Sequence, residues 1–309
     1  MRPFRFGYQM TSGDPGELRR AAQSAEDAGF DVLHSFDHLG ERFSALAPLT
    51  AAAGWTSRIR LCPLVLNNDL RHPAVLAQEL ASLDQLSGGR LEVGLGAGHS
   101  FTEYRAIGAV FDPAAVRKAR LAESVEILRR LLDGETVTHA GEYYRLEAVA
   151  TLRPRQARVP ILLGVNGRAA LAHAARHADI IGLTMLGRTL ADGHQHEVRW
   201  APERVDATVG WIKSRAGERW AQLELNALVQ AVVITGDRRE AAESLAREVR
   251  GLSATVALAT PFLALGTEDQ IAQHLLACRA RWGISYFSVR DIQAFAPVIE
   301  RLRRADSRT

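Results

Sequence analysis

Cysteine is almost missing from this sequence: Cys62 and Cys278 are the only two in 309 residues, and neither belongs to a C-x-x-C pair. That excludes a disulfide framework or a thiolate metal site as an expectation. Lysine is equally scarce, with Lys118 and Lys213 alone among 38 basic residues and arginine supplying the rest. Arginine keeps its charge and forks onto carboxylate or phosphate, although an excess of arginine and alanine is also what GC-rich coding produces. The formal charge is only +3, and the basic residues are scattered among acids on helix faces, which leaves no stripe for a nucleic acid. No apolar run approaches the roughly 20 residues that span a bilayer, and Met1-Arg-Pro-Phe-Arg-Phe-Gly enters a strand pattern directly. The expectation is a soluble, cytoplasmic protein with no nucleic-acid or membrane partner.

Catalytic signatures of other classes are missing as well. No G-x-S-x-G supports a hydrolase. His173 and His177 have helical spacing but lack the glutamate of H-E-x-x-H and sit in an alanine-rich run. They read as a packed or solvated face, as do His194 and His196, and no metal is expected.

What is present is alternation from end to end. Strand patterns cover Phe4–Met10, Asp31–Phe36, Ile59–Leu66 and Leu91–Gly96, with helix patterns at Pro15–Ala28, Ser44–Trp55 and Pro73–Leu86 between them. After a long helix at Ala114–Leu132 and a polar hairpin in GETVTHAGEYYRL, the strand VPILLGV, the helix Gly167–His177 and the strand Asp179–Leu183 resume the rhythm. Met185–Pro202 reads as an insertion, and a helix follows at Glu203–Arg219. LELNALVQAVVI then reads as a seventh strand, ISYFSVR as an eighth, and Ala296–Arg304 as a closing helix. Eight strands, each followed by a helix and undivided by any Pro/Gly/Ser-rich linker, predict one α/β TIM barrel over residues 1–309 with an insertion at about 185–202. A doubly wound open sheet is the alternative, normally built from fewer steps.

The fourth strand runs into Gly94, Gly96 and Gly98, with Ala97 between and His99 after. Bare backbone at a strand end lets a flat or anionic ligand approach and use backbone N–H groups. The run is no dinucleotide fingerprint, because G-L-G-A-G-H lacks the third glycine of G-x-G-x-x-G. A second loop after the fifth strand, Gly164-Val165-Asn166-Gly167, opens into a helix start suited to phosphate. Each loop alone reads equally well as a tight turn; two at successive strand ends favour a phosphate-bearing cofactor.

These residues carry a resemblance. RHPAVLAQELASLDQLSGGRLEVGLGAGH, followed by Glu103, Arg105 and Gly108, resembles the bacterial luciferase-like superfamily, in particular its branch dependent on the deazaflavin coenzyme F420. FDHLG, RLAESVEILRRLLDGETVTHAGEYYRL and PILLGVNGRAALAHAARHAD are similar to the same branch, so the likeness runs from about Phe4 to Leu183. The resemblance implies a luciferase-like TIM barrel with a flavin-type ring at its mouth. By position it makes Asp37 and His38 an acid–base pair beside the ring. It also puts a non-prolyl cis peptide in Leu64-Val65-Leu66-Asn67, at Leu64-Val65. Gly96, Ala97, Gly98 and His99 would then line the cofactor's side chain, and Gly164, Val165, Asn166 and Gly167 its phosphate. One position departs: some deazaflavin dehydrogenases carry a glutamate where this chain has His99, which tells against a sugar-phosphate dehydrogenase.

Among single residues, His38 stands out, because histidine as a residue type can give or take the proton that accompanies hydride transfer. Adjacent strand residues face opposite sides, so Asp37 enters the mouth with it only past the strand end. Otherwise Asp37 caps the loop and His38 packs beneath. His99 reads as a ligand contact or a turn cap, and Asn67 as a donor to a ring or phosphate oxygen or a solvent-facing loop residue. Gln9, Gln230 and Arg290 also end strands, with a salt bridge to Asp291 or a neighbouring helix slightly favoured for Arg290. The reading is an F420-dependent oxidoreductase moving hydride between the deazaflavin C5 and a small organic substrate with a C=C, C=N or carbonyl/alcohol group, with a homodimeric assembly. The alternatives are an FMN-dependent monooxygenase served by a flavin reductase, and a non-catalytic ligand-binding barrel.

Overall fold

A computed structural model describes residues 2–40, 43–189 and 196–307. Eight parallel strands close a ring: β1 Arg5–Gln9, β2 Val32–Ser35, β3 Arg60–Pro63, β4 Val93–Gly96, β5 Ile161–Val165, β6 Ile180–Leu183, β7 Glu224–Leu228 and β8 Ile284–Val289. Their order is β3-β2-β1-β8-β7-β6-β5-β4, and a ninth segment, Leu66–Asn67, lies along β4 as the resumption of β3. A Leu61–Leu91 bridge completes the circuit. The predicted third strand is therefore broken in the middle, where the Leu64-Val65 peptide is cis.

The helices form where local chemistry stops and starts them. Asp14 accepts from the Glu17 N–H at 2.7 Å to cap α1 Pro15–Asp27, and Gly29 ends it with φ +82°. α2 Leu46–Trp55, α3 Pro73–Leu86, the short α4 Phe101–Ala106 and α5 Ala114–Leu132 follow. α6 Arg168–His177 comes after β5 and α7 Pro202–Ala216 after β6. The remaining helices are α8 Arg238–Glu248, α9 Ala254–Ala259, α10 Glu268–Trp282 and α11 Ile292–Asp306. Thr267 and Gln270 make a reciprocal capping box at the start of α10. Apolar stripes of these helices pack on the strands in one large core that includes Phe4, Phe6, Phe287 and Phe295.

Three sequence expectations change. LELNALVQAVVI is two strands, because only Glu224–Leu228 joins the barrel while Ala231–Ile234 pairs with Leu263–Gly266, a strand the periodicity missed. The insertion contains an antiparallel hairpin, Leu186–Thr189 with His196–Val198; His194 lies outside the described residues. Gly94 serves packing: a Cβ there would stand 1.9 Å from the Pro63 carbonyl oxygen, where no ligand reaches.

The closed end of the barrel is polar but neutralised. Arg5 pairs with Glu224 at 2.6 Å and with Glu92, which also binds Arg60 at 2.6 Å. Above them His34 is buried between the Cys62 carbonyl and the Ser288 hydroxyl, both at 3.0 Å, and burial pushes its pKa down to about 4.

Gly94→Ala should destabilise by about 1–3 kcal/mol or more, since its Cβ meets backbone. Gly54→Ala in α2, with nothing within 4 Å, should stabilise by about 0.5–1 kcal/mol. Urea midpoints of the two variants check the pair. His34 resists protonation when folded and accepts it when unfolded, so its contribution is complete above the unfolded value near 6.5 and is lost as pH falls from there towards 4. Midpoints measured across that window should fall more steeply for the parent than for His34→Gln.

Candidate functional site

The C-terminal ends of the strands surround a cavity of about 900 Å³. Nearly every residue singled out from the sequence lines it, although those choices came from seven separate chain segments. Its centre is the turn inside β3. The side chain of Val65 projects across the barrel, where a Cβ on Gly96 would come within 2.7 Å of Val65 Cγ2 and one on Gly164 within 3.2 Å of Cγ1. The glycines of both loops therefore accommodate Val65 itself. Leu64, Val65, Gly96 and Gly164 form one continuous surface of the cavity.

Beyond the turn, Asn67 is held from three directions. Its N–H donates to Asp37 Oδ2 at 2.7 Å, its Oδ1 accepts from the Asp69 N–H at 3.1 Å, and the Tyr104 hydroxyl lies 3.0 Å from the same oxygen. Burial pushes the Tyr104 phenol up to about 12, which keeps it a donor. Gly98, at φ +72°, has no room for a Cβ, which would stand 2.2 Å from that hydroxyl. Asn67 is thus a buried brace for the loop, in place of the solvent-facing alternative. Asp37 is braced too: Arg71 binds both its oxygens, at 2.6 and 2.9 Å.

His38 and Asp37 both follow the end of β2, so both side chains reach the mouth without violating strand alternation. His38 Nδ1 lies 2.7 Å from Glu103 Oε1 on α4, and its ring meets that of His99 edge-on at 5.4 Å between centroids. Burial by itself would raise the Glu103 carboxyl. The bond and charge of His38, with the Ser100 hydroxyl and the Leu39 N–H, instead hold it below the ordinary carboxylate range. Arg117 from α5 binds the carbonyls of Ala97 and Gly98 and so fixes the loop that carries His99.

On the other wall, Val165 and Asn166 follow β5, and Lys118 Nζ donates to Asn166 Oδ1 at 3.3 Å. Burial and the neighbouring Arg117 lower the Lys118 pKa. Gly167, with φ +84°, caps α6 and lines an adjoining cavity of about 500 Å³, which shares Val165, Asn166 and Thr184 with the first and is edged by Arg199 and Arg204. Gln9, Gln230 and Arg290 close the far side. The favoured salt bridge of Arg290 to Asp291 is not formed; its guanidinium donates to Gln9 and Gln230.

Glu103 and Lys118 are among the site members that escaped the sequence reading. Glu103 was quoted only as a motif residue, and its place four positions after His99 was the signal that it turns back on the loop. Lys118 stood out only by the rarity of lysine. His173 and His177 stack at 4.4 Å, and Glu126 of α5 joins them within 4.8 Å; none of the three lines the cavity. Among the described residues, no helix is long and apolar enough to cross a membrane.

Comparison with known proteins places this geometry. The chain is 39% identical over 188 residues to the F420-dependent glucose-6-phosphate dehydrogenase of Nakamurella multipartita, covering 57% of this chain and 55% of that protein. It is 32% identical over 191 residues to the 5,10-methylenetetrahydromethanopterin reductase of Archaeoglobus fulgidus, covering 62% and 54%. The chain thus matches about half the length of these curated relatives. In fold, it is similar to the coenzyme F420 dependent tetrahydromethanopterin reductase from Methanopyrus kandleri, with TM-score 0.77 and 21% identity over 97% of this chain and 100% of that one. The family described as luciferase-like monooxygenase matches residues 1–286. A closed barrel with its mouth built around the β3 turn, matched along nearly its whole length, makes this chain a member of the luciferase-like monooxygenase family.

Proposed function

We propose that the protein is an oxidoreductase that uses coenzyme F420 to reduce or oxidise a small organic substrate. The observation that carries this reading is the hydrogen-bonded His38–Glu103 pair standing over the same cavity as the Val65 turn. The names of the relatives from Nakamurella multipartita and Archaeoglobus fulgidus support the cofactor and the redox class.

The residues present fit such a group. Glycines at 96 and 164 keep Cβ atoms off the cavity surface beside Val65, which suits a flat ring. The cavity continues past Gly167 between basic side chains, Lys118 on one side and Arg199 and Arg204 on the other, which suits an anionic tail. When bound, F420 supplies a carbon centre that gives or takes hydride.

The chain's own residues supply position and protons. His38 holds the proton that accompanies hydride transfer. Glu103 orients it by engaging Nδ1, so exchange with the substrate runs through Nε2. Asp37 acts through Asn67 and Arg71, fixing the exit of β3 and with it the seat of Val65. The homodimer and the single-domain organisation of residues 1–309 belong to the same proposal.

Titration with F420 and with FMN, followed by fluorescence, tests the cofactor. Preference for F420 is expected; preference for FMN would replace hydride transfer with oxygen activation, and binding of neither would overturn the reading. In F420-loaded enzyme, His38→Asn should lower kcat by about 10²–10⁴-fold with F420 affinity unchanged within about threefold, as read by the same titration. Glu103→Gln should lower kcat less and move the pH profile, which a purely structural role would not do.

A further inference from the structure

Arg290 directly follows β8 and is exposed to the cavity. Its Nε donates to Gln9 Oε1 at 2.8 Å and its Nη1 to Gln230 Oε1 at 3.1 Å. Each glutamine is oriented from behind: Gln9 Nε2 donates to the Leu64 carbonyl at 3.4 Å and Gln230 Nε2 to the Leu228 carbonyl at 3.3 Å. A backbone carbonyl only accepts, so each amide NH2 must face its carbonyl and each amide oxygen must face the arginine. The relay fixes the guanidinium plane with neutral partners alone.

A guanidinium carries five N–H donors. Two are used here, which leaves one on Nη1 and both on Nη2, an edge shaped for a carboxylate. Among the described residues, no acid pairs with it. Burial lowers the Arg290 pKa with no carboxylate offsetting it. Asp291 is turned away and caps α11, accepting from the Ala294 N–H at 2.9 Å. The two acids among the described cavity residues are taken, Asp37 by Arg71 and Glu103 by His38.

A cavity-facing guanidinium held by neutral partners alone is placed to take its counter-ion from a ligand. Ring order separates it from Lys118, the lysine among the described cavity residues. Lys118 stands by Asn166 after β5, whereas Arg290 is held between residues at the ends of β1 and β7, and β1 lies opposite β5 in the ring. A cofactor tail at Lys118 therefore leaves Arg290 for the reacting partner.

We propose that Arg290 determines substrate specificity by binding a carboxylate group of the substrate across Nη1 and Nη2, with Gln9 and Gln230 fixing its orientation. One guanidinium balances a carboxylate monoanion; a phosphate dianion would keep uncompensated charge. The word substrate rests on the reading above, but the anion site does not.

Calorimetric titration with benzoate and with inorganic phosphate tests it, on protein with and without oxidised F420, for the parent, Arg290→Met, Arg290→Lys and Lys118→Met. Benzoate should bind the F420-loaded parent and weaken at least about tenfold in Arg290→Met, the cost of a charge-assisted bond. Arg290→Lys, which keeps charge but loses the fork, should weaken at least about threefold and decides the matter where the methionine variant fails to fold. In the cofactor-free protein Lys118→Met should leave benzoate affinity unchanged, and F420 affinity should stay within about threefold in both Arg290 variants. Equal benzoate binding with and without the Arg290 guanidinium would overturn the proposal. So would a parallel loss of F420 affinity, which would assign the arginine to the cofactor, or phosphate binding at Arg290 more tightly than benzoate. If F420 binds none of the proteins, the cofactor reading fails, while benzoate binding lost with Arg290 in the cofactor-free arm still supports the carboxylate site.

Discussion

The mouth of this barrel depends on where one valine side chain goes. Val65 leaves the kink in β3 and crosses the barrel interior towards β4 and β5, and it has room only because positions 94, 96 and 164 have no Cβ. Steric exclusion on that scale is not negotiable by relaxation, because the opposing atoms at Gly94 are backbone. The turn in turn sets Asn67, and Asn67 gathers Asp37, Arg71, Asp69 and Tyr104 into one brace. Packing at the centre and hydrogen bonding around it thus fix the same loop.

Charge is treated differently at the two ends of the barrel. At the closed end Arg5, Arg60, Glu92 and Glu224 pair off among themselves, so the ions satisfy one another and ask nothing of a ligand. At the open end Asp37 and Glu103 are paired, while among the described residues Arg290 meets neutral amide oxygens. The Arg290 guanidinium faces the cavity.

The sequence made much of the barrel legible, because strand and helix periods differ and the turn residues punctuate them. Pro15 and Gly29 bound the first helix in both readings. The seventh strand misled for a physical reason: LELNALVQAVVI has no Gly or Pro to punctuate it, and periodicity does not reveal that Val229 and Gln230 leave the barrel so that Ala231–Ile234 can pair elsewhere. The glycines were legible as special positions but not as to what they face, since a missing Cβ looks the same whether a phosphate or a valine fills the space.

By itself the sequence determined the alternating α/β order, the strand ends that carry His38, His99 and Asn166, and the residue types able to hold a proton or an anion there. Only the tertiary structure decided which of them meet. That Glu103 turns back onto His38, that Arg71 occupies both oxygens of Asp37, and that Arg290 finds Gln9 and Gln230 in place of Asp291 are contacts between segments separated by 34 to 281 positions. The reason is that hydrogen-bond partners are selected by distance in space, and ring closure of the barrel sets that distance with little regard for position along the chain.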